Sequence, residues 1–164
     1  MLVDLKIWAA RYEVIVLEGC DGTGKTTLAS ALAAEYGYTI VHSDRTPDNI
    51  DLADRYRSIL ALPGRIVLDR SFISELVYGP LRYGRSRLSA SDATELALRV
   101  ADRDGTFVHL TASAEAIANR LRARDGRAPP LESIQAIARA YRSVFAALQG
   151  TAMVITVDVT EPVS

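Results

Sequence analysis

A chain of 164 residues, 49% hydrophobic and 24% charged, is long enough to bury a full core without covalent staples. Its net charge of −1 creates no global field for nucleic acid or an anionic membrane, and its lone Cys20 excludes an internal disulfide framework. No apolar run nears the roughly 20 residues of a membrane span, so a cytoplasmic protein is expected.

The opening MLVDLKIWAARYE is too acidic, and its apolar part too short, for a signal peptide. Trp8 within it is expected to anchor the segment against the sheet. Five short apolar, β-branched runs follow: VIVLE (14–18), YTIVH (38–42), RIVLD (65–69), TFVHL (106–110) and AMVITVDV (152–159). Such runs read as strands buried on both faces, the mark of a parallel sheet. Helical patterns lie between them. Leu28 and Leu32 share a face after the first run. Turn chemistry marks 61–65, 78–87 and 123–130 as loops. Tyr56 and Phe72 read as packing aromatics, and mid-strand His109 as a hydrogen-bonded core histidine. Ser113 is a candidate N-cap for a helix carrying Ala114, Ile117 and Leu121. The longest stripe, Leu131, Ile134, Ala138, Tyr141, Phe145 and Leu148, reads as a core-facing helix. Strand–helix alternation over the whole chain, 1–164, implies one α/β domain. The expected form is a three-layer sandwich with a five-stranded parallel sheet and helices on both faces.

The first strand runs into GCDGTGKT, Gly19 to Thr26, which fits G-x-x-x-x-G-K-[ST] in full and opens the next helix. Gly19, Gly22 and Gly24 let the backbone wrap a phosphate closely, with Asp21, Thr23 and Thr27 completing the loop. The helix N-terminus adds its dipole. Only Lys6 and Lys25 are lysines; every other basic residue among the 19 is arginine. A compact ammonium on a flexible stem can reach into the loop, where a planar guanidinium would not fit. The Thr26 hydroxyl suits Mg²⁺. Asp69 and Arg70 end the third apolar run, at the crevice side of an open α/β sheet. A carboxylate there can hold Mg²⁺ through water, and the arginine can clamp a phosphate. His42 ends the second run on the same side.

LEGCDGTGKTT followed by VLDRSFISELVYG resembles thymidylate kinase and its relatives among the nucleoside monophosphate kinases. The family pattern E-G-x-D-G-x-G-K-[ST]-T falls on Glu18 to Thr27, and D-R-x-x-x-S-x-x-x-Y on Asp69, Arg70, Ser74 and Tyr78. RTP at Arg45 to Pro47 is similar to the family's R-E-P, and NRLRARDGR lies where the family has a mobile lid, here about 121–130. The resemblance implies ATP as donor, held by Lys25 and the loop, with Mg²⁺ on Thr26 and Asp69. It implies an acceptor monophosphate on Arg70 and Arg45, an acceptor sugar against Asp21, and further acceptor contacts from Ser74 and Tyr78. Arg120, Arg124 and Arg127 become lid arginines that neutralise the transferring group.

The chain is short for this family. Only 22 residues separate Pro47 from Arg70 (70 − 47 − 1), no phenylalanine lies there to stack on a base, and Gly79 stands where a polar residue commonly reads the base. The simplest implied reaction is phosphorylation of a deoxynucleoside monophosphate such as dTMP, in nucleotide biosynthesis. Alternatives are a nucleoside, a modified deoxynucleotide or a DNA-borne acceptor, nucleic acid entering only as substrate. An ATP-binding switch that transfers nothing is a further alternative, and a homodimer is one assembly open to the chain.

Overall fold

The computed structural model describes residues 3–161. The apolar runs form β1 (Val14–Glu18), β2 (Thr39–His42), β3 (Ile66–Asp69), β4 (Gly105–Thr111) and β5 (Val154–Asp158). They make one sheet of order β2-β3-β1-β4-β5 in which every pair is parallel. Parallel neighbours need crossovers, which the helices supply. α1 (Leu5–Arg11) precedes the sheet and α2 (Lys25–Tyr36) follows β1. α3 (Leu52–Leu60), α4 (Phe72–Tyr83) and α5 (Ala90–Asp102) flank β3 and lead to β4. α6 (Ala114–Asp125) and α7 (Leu131–Leu148) lead to β5.

Alternate residues of the central strands feed two separate cores. Val14, Val16, Ile66 and Leu68 pack with Tyr56, Phe72, Leu96, Ile117, Tyr141 and Phe145 from α3 to α7. Ile15, Leu17, Val67 and Val108 pack with Trp8 of α1 and with Leu28 and Leu32 of α2. The result is the three-layer α/β sandwich that the alternation implied. Each such side chain contributes about 1.5–3 kcal/mol by leaving water. Tyr56 and Phe72 pack edge to face at 5.7 Å, as packing aromatics should. Ser113 caps α6 by accepting from the Ala116 N–H at 3.1 Å.

Four expectations need correction. The 123–130 segment is not all loop: α6 continues through Asp125, and Gly126 at φ 76° ends it by donating to the Arg122 carbonyl. β1 and β3 are buried along their whole length, but β2 and β5 are half exposed, because a sheet edge lacks a neighbour and has thinner helix cover. The 78–87 segment is not all loop: α4 continues to Tyr83 with Pro80 inside it, and Gly84 at φ 71° closes the helix by donating to the Pro80 carbonyl. Pro80 is tolerated because it lies in the last turn, where one lost intrahelical bond breaks nothing beyond it. His109 is buried, but its side chain makes no hydrogen bond among the described residues. It packs instead against the Phe145 ring, with centroids 4.7 Å apart and the planes tilted by 32°. Burial, followed by the nearby Arg142 guanidinium, pushes its pKa down to about 4.

The strand order places the ligand crevice. From β1 the chain crosses to β2 and β3 on one side and to β4 and β5 on the other, so the loops after β1 and β3 diverge at the switch point. Register brings Leu17 level with Asp69 and Glu18 level with His109.

Candidate functional site

Between β1 and α2 the chain turns at positive φ through Gly19 (150°), Gly22 (84°) and Gly24 (88°). At Gly19 a Cβ would stand 2.3 Å from the Leu110 carbonyl oxygen, so only glycine allows the loop to lie against β4. The buried Thr23 hydroxyl donates to the Cys20 carbonyl at 2.8 Å and braces the turn. Cys20 is itself buried, which pushes its thiol up and leaves it an inert loop residue. Gly24 offers α2 no side-chain cap, so the first N–H groups of the helix remain open to an anion.

Lys25 is buried at the head of α2. Its Nζ donates to the Gly19 and Cys20 carbonyls, each at 2.8 Å, so the ammonium arches over the loop. Burial, and then the Arg70 guanidinium, hold its pKa below the ordinary lysine value. At the next residue, the Thr26 hydroxyl donates to Asp69 Oδ2 at 2.8 Å, and His42 Nδ1 lies 3.3 Å from the same oxygen. The described residues hold no cluster of three or more His, Cys, Asp or Glu fit for a metal. A hydroxyl and one carboxylate beside an open phosphate cradle nevertheless fit Mg²⁺, which keeps waters and binds substrate phosphates rather than an all-protein cage.

Lys25, Thr26, Asp69, Arg70, Arg45 and Arg124 meet around one cavity of about 640 Å³, which Asp21, Gly22, Gly24, Thr27 and Arg120 also line. Arg70 adopts a left-handed backbone with φ 71°, its N–H donating to the Leu17 carbonyl at 3.1 Å. Its guanidinium lies 3.7 Å from Asp21. Arg124, at the end of α6, reaches Asp21 with two bonds at 2.9 and 3.3 Å across 103 positions of sequence. These bonds hold the Asp21 carboxyl below the usual carboxylate range. Arg45 is exposed and pairs with Asp48 at 2.8 Å.

Not every expected residue joins this cavity. Arg127 lines a different one, of about 460 Å³, with Tyr78, Arg82 and the apolar faces of α6 and α7. Arg120 is tied to the carbonyls of Val159, Thr160 and Gly22. It also borders a third cavity of about 430 Å³, with Thr23, Leu28, Ala31 and Val159. Ser74 and Tyr78 line a small cavity on the far side of Arg70.

Glu18 braces the site and was named by motif matching only as part of a pattern. Its carboxylate is completely buried and accepts from Ser71 N–H (2.7 Å), the Ser71 hydroxyl (3.0 Å), the Ser74 N–H (3.2 Å) and hydroxyl (3.0 Å), and Tyr141 Oη (3.0 Å). Burial pushes the carboxyl up; the Lys25 charge and the Ser71 bonds pull it back. Glu18 thereby ties the P-loop to the start of α4 beside Arg70. The Ser74 hydroxyl is engaged in that tie. A buried acid at a strand end was the available signal.

The family described as an AAA domain matches residues 14–45, the span from β1 through the loop and α2 to just beyond β2. No curated protein sequence matches the chain. Among solved structures, the Bacillus subtilis YorR protein in complex with phosphorylated GDP is similar, with TM-score 0.80 and 24% identity over 90% of this chain and 86% of that one. Deoxyadenosine kinase from M. mycoides, with the products dCMP and a flexible dCDP, gives TM-score 0.60 and 14% identity over 90% of each chain. A gluconokinase from Sinorhizobium meliloti gives TM-score 0.57 and 21% identity over 91% and 83%. At these identities the likeness establishes a shared P-loop fold. No described helix is long and apolar enough to cross a membrane.

Proposed function

We propose that the chain is a phosphotransferase that moves a phosphoryl group from ATP to a (deoxy)nucleoside monophosphate. The observation that carries this reading is the pairing, across one 640 Å³ cavity, of a phosphate cradle at Lys25 and Thr26 with the guanidiniums of Arg70 and Arg45. A nucleotide switch needs the cradle; it has no use for a second anion clamp facing it. Two of the similar structures carry the name of a kinase, which supports phosphoryl transfer; the dCMP in the M. mycoides kinase is a product there, so the choice of a monophosphate acceptor rests on the arginines and the motifs alone.

On this reading the loop N–H groups and Lys25 take the β- and γ-phosphates of the donor, and Lys25 exchanges its bonds to the loop carbonyls for bonds to phosphate oxygens. Thr26 and Asp69 would hold Mg²⁺, which when bound neutralises charge on the phosphate oxygens. The cavity beside Arg120, Leu28 and Val159 suits the donor base: it offers apolar walls and one guanidinium fixed by backbone carbonyls. Arg70 and Arg45 bind the acceptor phosphate, and Asp21 accepts from its sugar hydroxyl. Arg124, now on Asp21, is the arginine of the 121–130 lid best placed to swing onto the transferring group. Transfer between phosphates is mostly positioning and charge stabilisation, which is what this set of residues can supply. The whole chain then acts as one kinase domain, of the nucleotide-biosynthesis kind, with that lid.

The motifs name dTMP as the simplest acceptor. Labelled ATP and Mg²⁺ incubated with the deoxynucleoside monophosphates, free nucleosides, gluconate and short DNA test the reading. Label in a nucleoside diphosphate is expected. Label only in a nucleoside, sugar or DNA would move the acceptor to that class, and ATP turnover without any labelled acceptor would refute transfer.

A further inference from the structure

The small cavity beyond Arg70 has a volume of about 120 Å³ and shares Ser43, Asp44, Arg45 and Arg70 with the transfer cavity. It is therefore where the rest of an acceptor would lie once its phosphate is on the arginines. Its wall includes Glu75 and Tyr83 of α4 and Arg87 from the segment that follows. That segment turns back over α4 at Gly79. A Cβ there would stand 2.9 Å from the Arg85 carbonyl oxygen and 3.0 Å from Glu75 Oε1, so no side chain at 79 could read a base. Arg87 arrives in its place.

Glu75 and Arg87 lock together with little exposure, 14% and 29% of their side chains. The Arg87 backbone N–H and Nε both donate to Glu75 Oε1, at 2.7 and 3.3 Å, and Nη2 reaches Oε2 at 3.4 Å. Nη1 donates to the Thr46 carbonyl at 2.7 Å. Oε1 is thus doubly satisfied, whereas Oε2 has one long contact and keeps acceptor capacity, and Nη2 keeps a free N–H. The pair presents one acceptor beside one donor on the cavity wall.

We propose that Glu75 and Arg87 read the acceptor's base and select cytosine over thymine. This rests on the phosphotransferase reading above and changes the acceptor that the motifs name. Cytosine offers the complement, an N4–H for Oε2 and the N3 lone pair for Nη2–H; a carboxylate accepting from cytosine N4 is a standard pairing. Thymine offers N3–H between two carbonyl oxygens. A carboxylate oxygen at N3–H meets both of them, and Arg87 can offset only one. The cavity's small size suits a single-ring base. Tyr83 is 65% exposed on the same wall, with the Arg45 guanidinium 6.0 Å from its ring centroid, so it offers a face on which a base can stack.

The test compares kcat/KM for dCMP and dTMP, with ATP and Mg²⁺, in wild type, Glu75→Gln and Arg87→Lys. Wild type should prefer dCMP by roughly five- to 150-fold, the discrimination of one well-placed bidentate pair. Glu75→Gln can turn an amide N–H toward the thymine O4 and should remove most of that preference. Arg87→Lys keeps the backbone bond to Glu75 and should weaken dCMP without improving dTMP. Both acceptors are compared within one protein, so a loss of folded enzyme cancels from the ratio. A wild-type preference for dTMP, or a ratio unchanged in Glu75→Gln, overturns the base assignment and leaves phosphoryl transfer standing. Transfer to no monophosphate overturns both, and is recognised by the absence of any labelled diphosphate.

Discussion

Arg70 holds a left-handed backbone at φ 71°, a conformation that disfavours an L-residue by roughly 1–2 kcal/mol. Its partial return is an ion pair with Asp21 at 3.7 Å, half exposed on both sides, worth at most about 1 kcal/mol. Replacing Arg70 by alanine keeps the strain and removes the pair, so Arg70→Ala should lose about 0.2–1 kcal/mol. Replacing it by glycine relieves the strain but returns about 0.5–1 kcal/mol to the unfolded chain as entropy. Arg70→Gly should therefore be more stable than Arg70→Ala by about 0.5–1 kcal/mol, or roughly 1–4 °C in Tm for a chain of this size. Alanine is ordinarily the more stabilising of the two. Both variants remove a charge-assisted clamp worth roughly 1.5–3 kcal/mol, so acceptor affinity should fall about ten- to 150-fold while ATP binding stays near wild type. Urea and thermal unfolding give the first comparison; calorimetry with an ATP analogue and with dCMP or dTMP, titrated separately, gives the second. Equal or greater stability of Arg70→Ala would show that the backbone stores no strain. Loss of ATP binding with the monophosphate retained would put Arg70 on the donor side.

Lys25→Ala should fold and lose nearly all turnover, since the ammonium bonds only to the loop's own carbonyls; Lys25→Arg should also be poor, and near-wild-type rates in either would sink the phosphate-cradle role. Backbone hydrogen exchange over 121–130 should slow when an ATP–acceptor bisubstrate analogue binds, and unchanged exchange at saturation would make the segment a static turn rather than a lid. His109 is held neutral with a pKa near 4, below its unfolded value of about 6.5, so the unfolded chain binds more protons between those values. Stability should be fully present above pH 6.5 and fall by up to about 3 kcal/mol as pH drops to 4. His109→Phe should flatten that part of a urea-unfolding pH profile, and an unaltered profile would assign the acid loss to other groups.

The sheet and the phosphate loop were legible in the sequence because their determinants are local. Short runs of apolar and β-branched residues must be buried or aggregate, and Gly19, Gly22, Gly24 and Lys25 carry their geometry in their own covalent structure. The capped α6 and the striped α7 were legible for the same reason. α3 and α5 were harder to single out, with shorter stripes and no motif, and α4 was cut short by reading Gly79 and Pro80 as loop residues. Position 79 is glycine because the returning backbone at Arg85 and Ser86 leaves no room for a Cβ on this face of α4, a fact about packing and not about turns. The pairings that give the cavities their chemistry are of this second kind. Thr26 meets Asp69 across 43 positions, Asp21 meets Arg124 across 103, and Glu18 meets Tyr141 across 123. Glu75 and Arg87 are only 12 apart, yet on the sequence they are one more acid and one more arginine in a chain rich in both. Periodicity encodes which face of an element is buried. Which charged groups then oppose each other depends on how the helices seat on the twisted sheet, and that is settled only when the whole core packs.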